Sequence, residues 1–131
     1  MASSKYPRGS EWRKWDLHIH TPASFHWNGP RFNSNPCAPE NAPLVDEMIH
    51  AMNAAEPAVF AIMDYWTFDG WFALKHRLTQ DDAPKLEKTV FPGIELRLMA
   101  PMRGRLNAHV LFLIAFQIKN LLISRVNYKL H

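Results

Sequence analysis

Asp16, His18, His20 and His26 fall within one short stretch, WDLHIHTPASFH. Imidazole is the commonest metal ligand because its neutral form offers a nitrogen lone pair near physiological pH. His18 and His20 are two positions apart, so on a strand both side chains leave the same face. Further along, Asp64 closes an apolar run, Glu95 interrupts a second and His109 sits inside a third. A carboxylate set in an apolar strand needs compensation, because a buried unpaired charge is costly or takes up a proton. A divalent cation supplies that compensation; so would an ion pair with a base such as Arg97. Singly, each residue fits a plain structural role, an ion pair for Glu95 or a hydrogen-bonded core histidine for His109. Together they favour a metal site. Nitrogen and oxygen ligands without thiolate suit Zn, Mn or Fe and do not choose among them.

The elements that must position these residues can be read from periodicity. Residues 15–19 form a short half-buried strand. Residues 28–43, with four prolines and one glycine, form a long loop. Leu44, Val45, Met48, Ile49 and Met52 make one helical stripe, opened near Pro43 and stopped by Pro57; His50 lies beside it as a partly exposed packing residue rather than a ligand. AVFAIM, residues 58–63, has the pattern of a buried parallel strand whose carboxyl end opens at Asp64 onto a polar site. Thr67 is placed to cap a helix carrying Trp71, Leu74 and Leu78, with His76 solvated. TVFPGIELRLM reads as a strand with a Pro-Gly irregularity before Ile94, and RLNAHVLFLIAF as the next strand. The order β, α, β, α, β, β predicts an α/β fold in which ligands gather at the carboxyl ends of strands.

Length and composition set the outer limits. The chain of 131 residues, 47% apolar and 21% charged, is globular in character rather than disordered. It suffices for one domain but falls short of the ~250 residues typical of a closed eight-stranded α/β barrel. Cys37 is the single cysteine, which excludes an internal disulfide and reads as an inert loop thiol. No stretch has the character of a signal peptide or membrane span, so a cytoplasmic protein without membrane partners is expected. The net charge of +3 hides an asymmetry: residues 96–131 carry six basic side chains and no acid. Dispersed through an apolar segment, these read as a solvated face more than as a nucleic-acid contact.

DLHIHTPASFH resembles the first motif of the PHP (polymerase and histidinol phosphatase) family, D-x-H-x-H with a third histidine following, here Asp16, His18, His20 and His26. IMDYW, PGIEL and the histidine of NAHVLF stand where the family's later motifs stand, so the resemblance runs from about Trp12 to Phe112. GSEWRKWDLHIHTP, DYWTFDGW and FPGIELRL are similar to PHP domains at the amino terminus of large bacterial AAA-type ATPase proteins. The resemblance implies part of a distorted (β/α)7 TIM-like barrel that hydrolyses phosphoesters with two or three divalent metals. His18 and His20 would hold a first metal, Glu95 would bridge it to a second bound by His109, and His26 would serve a third. Asp16 and Asp64 would orient ligands and water from behind. Nucleotides and nucleic acid belong to the implied substrate class, and an ATPase domain would follow in full-length relatives.

The chain departs from the family pattern at two places. The second motif commonly ends Asp-His, whereas Tyr65 follows Asp64 here; the third metal loses a ligand and the phenol becomes available to a phosphate. The late Asp-x-His has no counterpart, since Asp82 is the last aspartate and His131 the only later imidazole after His109. Residues 1–11 then read as an extension, 12–112 as the amino-terminal part of a PHP domain, and 113–131 as a divergent tail expected from truncation or a shifted reading frame. Uncovered sheet edges would favour self-association. A competing expectation is a non-catalytic binding module that keeps these ligands as relics. A weaker one is an amidohydrolase-like enzyme, which also uses H-x-H on a first strand but whose later lysine and histidines are not identifiable here.

Overall fold

The computed structural model describes residues 12–99, 101 and 103–112. The extension over 1–11, the tail over 113–131 and His131 lie outside these residues. Within them the chain forms β1 (Trp15–Ile19), α1 (Ala42–Ala54), β2 (Val59–Ile62), α2 (Asp69–Leu78), β3 (Thr89–Leu98) and β4 (Leu106–Leu111). This is a mixed α/β fold in the order that the periodicities predict. The proline-rich loop is shorter than expected at its end, where Pro39–Asn41 form a 3₁₀ turn and α1 begins at Ala42.

All four residues of β2 are buried, as a strand paired on both edges and covered on its faces requires. The sheet order is β1-β2-β3-β4. β1, β2 and the first part of β3 run parallel, which brings their carboxyl ends to one edge of the sheet. Val45, Ile49 and Met52 of α1 and Trp71, Ala73 and Leu74 of α2 pack with Phe60, Ile62 and Ile94 to form the core. His50 is exposed rather than packed, and His76 is half-buried. Thr67 is not itself the N-cap; Phe68 takes that place, while the Thr67 hydroxyl accepts the Asp69 N–H at 3.1 Å from one residue earlier.

The Pro-Gly pair does not interrupt β3. It marks a change of partner: Pro92 is the last residue registered with β2, opposite Ile62, and Gly93 the first registered with antiparallel β4, opposite Leu111. Proline can serve here because its fixed φ fits an extended strand and only its missing N–H is lost to the ladder. A Cβ on Gly93 would come within 2.5 Å of Met63 Cε and 2.9 Å of the Val110 carbonyl, so glycine is what lets the strands close together. The switch sets Glu95 opposite His109 and Arg97 opposite Asn107. β1 and β4 are the outer strands, and Trp15, Leu17, Leu106 and Val110 on them are exposed. Among the described residues no helix is long and apolar enough to cross a membrane.

Arg77 ties the two helices. From α2 it donates to both carboxylate oxygens of Asp46 on α1, at 2.7 and 2.9 Å, and to Gln80 and Asp82 at 2.7 Å each. The hydrogen bond and charge of Arg77 hold the Asp82 carboxyl below the usual carboxylate range. A depressed folded-state pKa stabilises the fold above the unfolded value, and that stabilisation is lost as pH falls through the folded one. Arg77→Met is expected to lower the thermal midpoint by several degrees at neutral pH. It should also remove the Asp82 share of the acid-induced loss below pH 3.8, the unperturbed carboxyl value. Thermal melts at a series of pH values check both effects.

Candidate metal centre

The shared carboxyl edge of the parallel strands collects the histidines and carboxylates singled out by the sequence. His18 closes on His20 as the period of two requires, with Nε2 atoms 3.2 Å apart. Glu95, only 1% exposed, enters from β3. Its Oε2 lies 3.0 Å from His18 Nε2 and 3.4 Å from His20 Nε2. Its Oε1 lies 3.4 Å from His109 Nε2 and accepts a hydrogen bond from Asn107 Nδ2 at 3.1 Å. The two oxygens of one carboxylate therefore face different imidazoles. Arg97, the alternative partner for this charge, is turned elsewhere.

The donor atoms of His18, Glu95 and His109 all lie within 4.8 Å of one another. Ligands held about 2.1 Å from one ion sit roughly 2.9–3.4 Å apart in octahedral or tetrahedral shells. The separations of 3.0, 3.2 and 3.4 Å among His18, His20 and Glu95 match that spacing. The protonation states match it as well. Burial pushes the Glu95 carboxyl up, but hydrogen bonds from His18, Tyr65 and His109 outweigh it and hold the group below its ordinary value, as an anion. Burial, followed by the charge of His18, lowers the His20 pKa against the pull of Glu95. The neutral ring that results is the ligating form. His18, Glu95 and His109 thus form a cluster able to hold a metal ion. His18 and His109 are exposed, which leaves the cluster open to solvent.

Supporting groups surround the cluster. Asp64, fully buried just beyond β2, accepts the Thr21 N–H at 2.8 Å and the Thr21 hydroxyl at 2.6 Å. Burial pushes its carboxyl up to about 6 in spite of these bonds. Its Oδ1 lies 3.7 Å from His20 Nδ1, a buried nitrogen with no hydrogen-bond partner. A carboxylate behind a ligating imidazole is the usual means of orienting the ring. A Cβ at Gly70 would collide with Thr21 Oγ1 and Asp64 Oδ2, so the first turn of α2 closes over this pair only with glycine.

Asp16 acts differently from expectation. Its Oδ1 accepts the backbone N–H of His18 at 3.1 Å, fixing the strand at the ligand rather than an imidazole tautomer. The Tyr65 ring stacks on His20 with centroids 5.1 Å apart. Trp66 then takes a left-handed φ of 57° and turns the chain towards α2. His26 stands outside the cluster. Its Nε2 accepts from Arg97 Nη2 at 2.7 Å, since a guanidinium only donates. Asn107, Arg97 and Thr21 are the contributors that motif reading misses. Asn107 and Arg97 each lie two positions from a ligand on a strand, the one signal that places them on its face.

His20 also lines a cavity of about 440 Å³ whose other walls include Trp27, Met48 and Phe60. No protein-family model matches the chain, and no curated protein matches it. Thr21→Val, which deletes the hydroxyl donor to buried Asp64, is expected to destabilise the fold by about 2 kcal/mol. Urea denaturation at neutral pH measures this directly.

Proposed function

We propose that the chain forms part of a PHP-type distorted (β/α)7 barrel and that its His/Glu centre hydrolyses phosphoesters with divalent metal ions. The observation that carries this reading is the buried Glu95 carboxylate, with Oε2 towards His18 and His20 and Oε1 towards His109. One side chain so placed can serve two ions. The resemblance of the motifs and the convergence of three parallel strands on one edge support the same reading.

His18 and His20 would hold one ion and His109 another, with Glu95 able to serve both. Zn, Mn or Fe fits these donors. Bound ions supply Lewis acidity at a phosphoryl oxygen and acidify water at neutral pH. The chain's own residues set the geometry. Asp64 stands 3.7 Å behind His20 Nδ1, and Tyr65 stacks on the His20 ring. Asn107 fixes Glu95 Oε1, and Asp16 pins the backbone at His18. The cavity beside His20 offers room for the apolar part of a leaving group, and nucleotides fall within the substrate class. Exposed apolar side chains on β1 and β4 support association of copies through these edges.

Hydrolysis of p-nitrophenyl phosphate and bis-p-nitrophenyl phosphate tests the reading. Turnover should require added Zn, Mn or Fe, stop on chelation and fall by more than about 100-fold in Glu95→Gln. That variant keeps the shape of the side chain and removes the charge between the donors. A chain that binds metal yet hydrolyses neither ester would contradict the proposal and favour a binding module that keeps its ligands without turnover.

A further inference from the structure

Two residues beyond Glu95 on β3, Arg97 projects to the same side of the sheet, opposite Asn107 on β4. Its surroundings are unusual for a guanidinium. Nη2 donates to His26 Nε2 at 2.7 Å. The guanidinium carbon lies 4.7 Å from the centroid of Tyr65 and 5.5 Å from that of Phe25. Nε is buried and has no hydrogen-bond partner. Among the described residues no carboxylate lies within ion-pair distance of Arg97, whereas Arg77 has two. Glu95, the nearest acid along the strand, is taken by His18, His20, His109 and Asn107.

Aromatic faces attract a cation but accept nothing in the plane of its N–H groups. A desolvated guanidinium donor without an acceptor is costly, and what satisfies its planar fork best is an oxyanion. Tyr65 links this guanidinium to the cluster, since its ring touches Arg97 and stacks on His20 as well. Arg97 therefore lies one aromatic ring away from His20 of the metal centre.

We infer that Arg97, held by His26, Tyr65 and Phe25, forms an oxyanion subsite beside the His/Glu cluster that takes a phosphoryl group. The identity of the anion rests on the phosphoesterase reading; the need for an anion does not. Arg97 contributes a fixed positive charge that requires no further ion, at the imidazole where the family resemblance places a third metal.

Calorimetric titration of inorganic phosphate into the chain as purified, with bound metal quantified on the same sample, tests the subsite. Arg97→Met is expected to weaken phosphate binding roughly 10- to 100-fold with unchanged metal content. Lys85→Met, which removes an equal charge from an exposed position ahead of β3, should leave the affinity within about twofold, the scale of a screened surface charge. If the methionine variant does not fold, Arg97→Gln carries the test with the same expected loss. The subsite is overturned if the parent binds no phosphate at millimolar concentration, if the Arg97 variants bind as the parent does, or if Lys85→Met loses as much. Because binding is read without turnover, an inert chain whose phosphate affinity depends on Arg97 keeps the subsite and overturns only hydrolysis. An active chain whose phosphate affinity ignores Arg97 overturns the subsite alone.

Discussion

A carboxylate buried at the junction of two strand pairings is the constraint on which the rest of the structure depends. Glu95 is removed from water yet held as an anion. That combination persists only where donors replace the lost hydration. Three imidazoles and the Asn107 amide supply them. A cation accomplishes the same compensation with the same groups as ligands, so the features that make Glu95 tolerable in a metal-free chain also prepare a metal centre.

The backbone is arranged to deliver this one side chain. Parallel pairing of β3 with β2 brings Glu95 to the edge where β1 presents His18 and His20, and antiparallel pairing with β4 brings His109 across from it. Neither pairing alone would put all three histidines around one carboxylate. The exchange of partners at Pro92 and Gly93 is therefore as much a part of the site as its ligands. Behind it, the buried Thr21–Asp64 pair joins the end of β2 to the segment after β1 and keeps His20 in place. The close seat of Gly70 fits α2 to the same pair.

Much of this was legible in the sequence because it depends on local pattern. The alternation around His18, the apolar run before Asp64 and the isolated Glu95 and His109 each name an element and a ligand without long-range information. What failed to show depends on contacts between distant segments. The hydrogen bond between His26 and Arg97 joins residues 71 positions apart. Asp16 looks like a ring-orienting carboxylate until the strand turns it back on its own backbone. Pro92-Gly93 reads only as an irregularity within one strand because a one-dimensional reading has no way to express a strand that changes partner. Thr67 was displaced by one residue as a cap because a hydroxyl can reach the first free N–H from just outside the helix.

His18, Glu95 and His109 could hold a metal ion or stand as a self-contained ion-pair cluster. Elemental analysis of the purified chain beside a His18→Ala/His109→Ala double variant distinguishes the two most directly. A metal centre predicts transition metal near or above one equivalent in the parent and its loss in a variant that remains folded. A folded parent that carries no metal, and takes up none when offered Zn, Mn or Fe, would contradict it.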